Sequence, residues 1–377
     1  MNSESKPDPA GEKSRRDLIQ KLGTAAAVSG LAAGADAQQM PARPGQRPAA
    51  PGEPGAGFRN ERDFIRQPGP EVQQPMPTIT MGKHKVSRLW LGVNGIGQHY
   101  SEPLRKTFSQ WSTPEQLMKV LKHCDELGIN VRIQTQNQVN DYNKQHDGHM
   151  LFTCNASCPI LPDGSIGDPR PRIKALAALK PIAIHYAASA ADDIWRRGQF
   201  NKVREFCKIV QQEFGLLACV NGHIPEMYMK MEDEGWGVDY YMTGMYLFGR
   251  THAEWEELFK ATPDLAPLQV GQPPTEGNSI YYGGEIAWVC GDPARMLKVV
   301  KQVKTPCMCF KILASGNLMA NAQPKLQQQT VEARFKYVFE NIKSTDGVVC
   351  AMWNKYEDQY ALNKEYVVKY GGSSIKV

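Results

Sequence analysis

The sequence predicts an α/β fold of the (β/α)8 barrel type over residues 78–377, and three observations carry that expectation. Eight short apolar runs, bounded by Gly, Pro or polar residues, alternate with helical patterns, as a parallel sheet covered by helices requires. No Gly-x-Gly-x-x-Gly follows a strand-like run and no Walker loop is present, which removes the usual marks of an open nucleotide-binding sheet. Roughly 300 residues follow the N-terminal leader and linker, enough for one barrel of about 250 residues with insertions.

The elements follow in order. A short hairpin (Thr78 to Lys83, then Val86 to Val93) leads into the first barrel strand. Ser112-Thr113-Pro114-Glu115 combines a cap with Pro in the first turn and starts a helix. Leu117, Val120, Leu121 and Cys124 form its apolar face, and Gly128 ends it. Val131 to Gln134 is the second strand, followed by a polar loop to about Gly148, and Met150 to Cys154 is the third. A helix around Pro171 to Leu179 precedes the fourth strand, Lys180-Pro181-Ile182-Ala183-Ile184-His185. Its apolar residues run into a histidine, and a polar small-residue segment, Ala187 to Asp193, follows. Phe200 to Phe214 is amphipathic, and Leu216 to Val220 is the fifth strand. Ile224-Pro225-Glu226 opens a helix reaching Glu234, and Val238 to Thr243 is the sixth strand. A long polar segment, from about Thr262 to Tyr282, separates it from a helix over Asp292 to Val303. Cys307 to Leu313 is the seventh strand, Val331 to Ile342 a helix, Val348 to Met352 the eighth strand, and Glu357 to Tyr370 the closing helix.

Residues 1–37 read as an export leader. Ser14-Arg15-Arg16-Asp17-Leu18-Ile19-Gln20-Lys21 resembles the twin-arginine export signal. An Ala/Gly-rich run from Leu22 to Ala35 and the small-x-small pattern Ala35-Asp36-Ala37 follow, with cleavage expected after Ala37. The run is too short and too weakly apolar for a membrane span, and no later stretch qualifies. The expected location is therefore periplasmic or secreted, with the twin-arginine export machinery as a partner. Residues 38–77, rich in Pro, Gly, Ala and Gln, have too little apolar surface to offset ordering entropy and read as a flexible linker.

Charge excludes one class of partner. The formal net charge is +5, and the basic residues are scattered rather than gathered in a stripe with aromatics, which argues against nucleic-acid binding. The leader's basic residues (Lys6, Lys13, Arg15, Arg16, Lys21) and acidic ones (Glu4, Asp8, Glu12, Asp17, Asp36) balance, so its removal leaves the charge unchanged. The nine cysteines show no repeated spacing. Cys154-x-x-x-Cys158 and Cys307-Met308-Cys309 could form a disulfide or hold metal, but neither is a strong zinc pattern; buried free thiols are expected for Cys219 and Cys309.

The chemistry is expected at the strand ends, where a barrel gathers its active groups. His185, with the side chain whose ordinary pKa lies nearest neutrality, is the first candidate for proton transfer. The order of several motifs then resembles the aldo-keto reductases. The matching segments are Val86-Ser87-Arg88-Leu89-Trp90-Leu91-Gly92, Leu127-Gly128-Ile129-Asn130, Ile182-Ala183-Ile184-His185 and Leu217-Ala218-Cys219-Val220-Asn221, then Met245-Tyr246, Ile312 to Leu318 and Gln359 to Asn363. The resemblance spans residues 86–377. It implies a barrel that binds NAD or NADP without a Rossmann motif and acts on a small carbonyl or alcohol, such as a sugar, with an Asp-Tyr-Lys-His tetrad. His185 falls on the tetrad histidine and Tyr142 near its tyrosine. Asn221 would hold the nicotinamide carboxamide, Tyr246 would stack on the ring, Ser315 falls in the matched loop, and Gln359 and Asn363 would approach the adenosine half. The sequence departs from the family where Arg132, Ile133 and Gln134 replace the aspartate region and Thr153-Cys154 replaces the lysine. A phenol of ordinary pKa near 10 needs a neighbouring cation to lose its proton readily.

Two other chemistries fit the same barrel. His185, His223, Glu226 and Lys311 each fall at or beyond a strand end. Two histidines and a carboxylate could ligate a divalent metal, or one His or Glu226 could abstract a proton beside a sugar carbonyl. Lys311, in an apolar strand, could form a Schiff base or act as an electrostatic clamp, because burial lowers a lysine's pKa; pairing with Asp239 is the structural alternative. These roles define a lyase or isomerase, with or without a metal. A barrel that only binds sugar would instead use Trp195, Trp236 and Trp353 as stacking faces.

Overall fold

The computed structural model describes residues 66–92, 109–134, 137–247, 280–283, 286–289, 291–319 and 324–372. Residues 1–37, expected to be an export leader, the expected linker as far as Ile65 and most of the polar segment after Thr262 lie outside the described residues.

Eight parallel strands close into one barrel. They are β3 (Leu89–Leu91), β4 (Val131–Arg132), β5 (Leu151–Ala156), β6 (Ala183–Tyr186), β7 (Leu217–Gly222), β8 (Tyr240–Gly244), β11 (Cys307–Phe310) and β12 (Gly347–Cys350). The ring closes where β12 pairs with β3, with Val348 opposite Leu89. All eight expected strands are present, including the one from Met150.

Side chains alternate between two apolar regions. Inward residues of the strands, among them Trp90, Ala183, Cys219, Tyr240, Met242, Met308 and Val349, form an inner cluster. Outward neighbours such as Leu91, Ile184, Val220, Tyr241 and Cys309 join the larger layer under the helices. The antiparallel hairpin of β1 (Thr78–Met81) and β2 (His84–Ser87) adds Ile79, Met81 and Val86 to the inner cluster. Ile182 and Leu217, at the starts of β6 and β7, belong to that cluster too, so the hairpin plugs the N-terminal mouth.

The described helices are α1 (Pro114–Glu126), α2 (Gln138–His146), α3 (Arg170–Ala177), α4 (Ala188–Arg196), α5 (Asn201–Lys208), α6 (Pro225–Asp233), α7 (Asp292–Gln302), α8 (Pro324–Phe339) and α9 (Gln359–Gly371). The expected cap of α1 is Thr113, whose hydroxyl accepts the Gln116 N–H at 3.1 Å. Helix α4 forms over the polar small-residue segment after His185, to which no element was assigned. Its Ala/Ser/Asp composition hides the pattern, but Ala191, Asp192 and Ile194 are buried at helical spacing. A second antiparallel hairpin, β9 (Ile280–Gly283) with β10 (Ile286–Val289), begins at the end of the long polar segment and was not expected.

Residues Arg66 and Gly69, inside the segment expected to be linker, make described contacts. Gly69 donates its N–H to Glu365 of α9 at 2.6 Å, and Arg66 forms an ion pair with Glu365 and donates to the Tyr366 hydroxyl at 2.7 Å. Two polar anchors thus tie the segment before Thr78 to the last helix, which its Pro/Gly composition conceals. The cysteine pairs are also corrected. Cys154, Cys158, Cys307 and Cys309 are buried and form no disulfide, as is true of the other described cysteines. Alternate positions on β11 face the same way, so Cys307 and Cys309 both enter the outer apolar layer, where burial pushes the Cys309 thiol up to about 12.

Arg88 fastens the closure. It is buried, lies 5.0 Å over the Phe339 ring, and donates to the carbonyls of Asp346 (2.6 Å), Gly371 (2.5 Å) and Lys343 (3.0 Å). Arg88→Met is expected to orphan three carbonyls and lower unfolding free energy by roughly 3 kcal/mol or more. Urea denaturation checks this, and an unchanged midpoint would contradict it.

Candidate active site

Two buried groups and a half-buried lysine converge beyond the C-terminal ends of the strands. Asp192 comes from α4, His223 follows β7, and Lys311 follows β11. The Asp192 carboxylate accepts the His223 backbone N–H at 3.0 Å and contacts ring Nδ1 at 2.6 Å. A carboxylate only accepts, so the imidazole proton sits on Nδ1 and the Nε2 lone pair faces Lys311 Nζ at 3.0 Å. Asp192 and His223 are 4% and 2% exposed, so the relay is shielded from water.

Glycines make the seat. Gly244 continues the inward series of Tyr240 and Met242, and a Cβ there would lie 2.5 Å from His223 Cδ2 and 3.1 Å from Phe310 Cζ. The imidazole therefore occupies the lumen space that a side chain at position 244 would fill. At Gly222 a Cβ would meet Met227 at 2.3 Å and Asp192 Oδ1 at 3.3 Å. Neither position tolerates a larger residue without displacing the relay.

Lys311 sits on unusual backbone. Its φ is 58°, and Ala314 and Ser315 in the turn that follows have φ of 48° and 53°. Left-handed conformations are uncommon for such residues, and their concentration after one strand marks a site where structure overrides local preference. Burial lowers the Lys311 pKa to about 8, with Asp192 opposing the shift. Burial, then Lys311, lower the His223 pKa, against the pull of Asp192. About half of the Lys311 amine is thus unprotonated at pH 8.

The sign of the pH dependence follows. The folded-state pKa of Lys311 lies below the unfolded value near 10.4. Between the two the unfolded chain binds more protons, so this group's contribution raises stability as pH rises from about 8. Below about 8 the cost of the buried cation is present in full. A reaction that needs the free amine should rise with pH through the same midpoint, and a pH–rate profile without that limb would contradict the assignment.

Beneath the relay the lumen is polar but uncharged. His185 Nε2 lies 2.6 Å from the Tyr240 hydroxyl, and the two rings meet edge to face at 5.6 Å. Burial drives the His185 pKa down to about 3 and raises that of Tyr240, so both are neutral. On the inward-facing strand residues, five buried polar atoms have no hydrogen-bond partner among the described residues: Trp90 Nε1, Thr153 Oγ1, Asn155 Oδ1, His185 Nδ1 and Asn221 Oδ1. Each such unpaired group costs about 1–3 kcal/mol, so the fold carries a polar cost at this level of the lumen.

The structure separates the other expected site residues from this centre. Tyr142 lies on α2, where its hydroxyl donates to Asp125 of α1 at 3.0 Å; burial and that carboxylate push the phenol up to about 12. His185 is partnered by Tyr240 instead. Glu226 faces Arg295 at 3.8 Å, beside a narrow crevice lined by His223, Pro225, Gly244, Asp292 and Arg295. Asp239, the alternative partner of Lys311, accepts the Ala218 N–H at 2.8 Å. Tyr246 is buried in the outer apolar layer, Gln359 accepts the Trp353 N–H at 3.2 Å, Asn363 is buried on α9, and Ser315 is half-buried in the turn after β11. Trp195 and Trp236 pack against Phe200, and Trp353 against Trp111, rather than forming an open sugar platform.

The expected metal set is not assembled. His223 engages Asp192 and Lys311, His185 engages Tyr240, and Glu226 faces Arg295; among the described residues no three His, Cys, Asp or Glu side chains form a metal-binding group. Sequence reasoning missed Asp192, Asn155, Thr153, Trp90 and Tyr240. A carboxylate on the apolar face of a helix following the His185 strand was the available signal for Asp192.

Fold and site together define a closed (β/α)8 barrel with an Asp-His-Lys relay at its C-terminal face. No family model matches the chain, and no curated protein is similar to it. Among solved structures, a truncated 3-deoxy-D-arabino-heptulosonate 7-phosphate synthase from Thermotoga maritima is 9% identical, with 78% of this chain and 91% of that one covered, at a TM-score of 0.39. N-acetylmannosamine-6-phosphate 2-epimerase from Clostridium perfringens is 14% identical over 60% and 87%, at 0.31. The assignment of the barrel rests on this chain's own strand pairing.

Proposed function

We propose that this protein is an enzyme that isomerises or cleaves a small carbonyl compound through an imine on Lys311. The Asp192–His223–Lys311 relay is the observation that supports this reading. The unprotonated Nζ attacks the carbonyl carbon, a C–N bond forms, and the carbonyl π pair passes to oxygen, which takes up a proton. Loss of water leaves an iminium that withdraws electrons from the adjacent carbon. A C–H or C–C bond there can then break, and hydrolysis regenerates the amine. The sequence is redox-neutral and needs proton transfer only. His223 Nε2 accepts and returns a proton beside Nζ, while Asp192 holds the ring in the required tautomer.

Borohydride reduction in the presence of a panel of small aldehydes and ketones tests the reading. A reduced adduct on Lys311, located by peptide mass spectrometry, is the expected result. No adduct on Lys311 with any carbonyl would end the proposal.

Asn221 supports a second reading. Its buried amide oxygen lacks a described partner at the position that the aldo-keto reductase resemblance assigns to the nicotinamide carboxamide. Titration with NAD and NADP separates the two: a saturable thermal shift favours the redox barrel, and flat titrations remove it. Export belongs to the same proposal, since buried free thiols suit a chain that folds before it is exported. Mature protein beginning at Gln38 in the periplasmic or secreted fraction is the expected result of N-terminal sequencing.

A further inference from the structure

The segment after β12 lies at the end of the barrel that carries the relay. Register pairs Phe310 of β11 with Val349 of β12, so Lys311 stands level with Cys350, and residues 351–358 begin one position beyond. They form no helix or strand, and Asn354, Lys355 and Tyr356 in their middle are exposed. The start of this strap is fixed to α9. The Tyr360 hydroxyl donates to the Met352 carbonyl at 2.9 Å, and the Trp353 N–H donates to the Gln359 side chain at 3.2 Å.

Three contacts fasten the strap across to α1 and the residues just before it. Trp353 meets Trp111 edge to face at 5.9 Å, and the Gln116 amide donates to the Asn354 side-chain oxygen at 3.3 Å. His123 Nε2 lies 2.7 Å from Asp358 Oδ2. The other oxygen of Asp358 accepts the Ala361 N–H at 3.1 Å and caps α9. One carboxylate therefore starts α9 and joins the strap to α1. Of the three contacts, only this one changes charge near neutral pH.

The surroundings of His123 set the sign of its response. Asp358 faces it from the strap, Glu126 lies 4.0 Å from Nδ1 on α1 itself, and the Tyr360 ring of α9 meets it edge to face at 5.9 Å. Lys122 pairs with Glu126 at 3.9 Å, and Arg132 of β4 acts on Cys124 and Tyr360. The hydrogen bond to Asp358 raises the His123 pKa against the opposing effect of burial, and Glu126 adds to the rise. The ionic contribution is therefore full below the ordinary value of about 6.5 and is lost as pH rises through the higher folded-state value. A neutral ring can still donate from Nε2, so the hydrogen bond survives and only the charge attraction disappears. The two side chains are 30% and 34% exposed, so solvent screening keeps the effect modest.

We propose that the His123–Asp358 contact is a pH-dependent latch, which holds the strap at the barrel mouth against α1 while His123 is protonated and slackens when the ring is neutral. No member of the Asp192–His223–Lys311 relay takes part, so the latch does not depend on imine formation.

Lys355 places a trypsin site in the middle of the strap. Native-state proteolysis of the full-length protein at pH 6.5 and 8.5 tests the proposal, with initial cleavage after Lys355 read by mass spectrometry. Each rate is divided by that of a free peptide spanning residues 351–360 at the same pH, which removes the protease's own pH dependence. The normalised rate is expected to rise about two- to fivefold between the two pH values, the scale of one partly exposed ion pair. His123→Gln keeps an amide donor without a titrating charge, and Asp358→Asn keeps a capping oxygen without its charge. Both variants, with their fold checked by circular dichroism, are expected to be cut at the faster rate already at pH 6.5 and to show no rise. A flat normalised rate in the native protein, or the native rise retained in either variant, would overturn the latch.

Discussion

Lys311→Met is expected to abolish the borohydride-trapped adduct and to cut turnover on the order of 10³-fold or more, because it removes the covalent route. Methionine keeps the unbranched stem, so the contact with Phe310 and the left-handed turn need little repacking. The variant should therefore stay folded, and below about pH 8 its stability should rise relative to the parent, since the buried cation is gone. Lys311→Arg should not rescue turnover, because a guanidinium remains protonated and is no amine nucleophile. Retained trapping in Lys311→Met would place the imine on another lysine and contradict the assignment.

Asp192→Ala has the second large effect, and it acts through His223. The carboxylate holds both the backbone N–H and ring Nδ1 of that residue, in a space with almost no water. Its removal leaves two buried donors unsatisfied beside a buried cation, and loss of one member of such a pair costs about 3–5 kcal/mol. Turnover should fall about 10²- to 10⁴-fold as the ring loses its orientation. Asp192→Asn separates position from charge: it can hold the backbone N–H, but can present either oxygen or nitrogen to the ring. Because Asp192 opposes the downward shift of Lys311, the asparagine variant should move the rising limb of the pH–rate profile to lower pH. A merely structural aspartate would leave that limb in place.

The barrel was legible because buried parallel strands write themselves as apolar runs. Ile182 to Ile184, Leu217 to Val220 and Cys307 to Phe310 all stand out, and each is a strand or the approach to one. The helix after His185 was not legible, because Ala, Ser and Asp at its start give no apolar stripe until Ile194. His223 and Lys311 were found as polar residues at strand ends, but their union was not. It depends on two glycines that clear the space and on Asp192, a residue from an unrecognised helix. Tyr142 illustrates the opposite error. Its distance along the chain suited a tetrad tyrosine, yet Asp125 on a neighbouring helix holds it in the outer layer. His185, expected at a strand end as a proton-transfer candidate, is a buried strand residue whose partner Tyr240, 55 positions later, is set by barrel closure alone.

The central claim is that Lys311 presents an unprotonated amine at near-neutral pH. Competitive labelling of the native protein with a trace acylating reagent, read for Lys311 by mass spectrometry across pH 6 to 11, measures this directly. A titration midpoint near 8 is expected for Lys311. A midpoint near the ordinary lysine value of about 10.4 would contradict it.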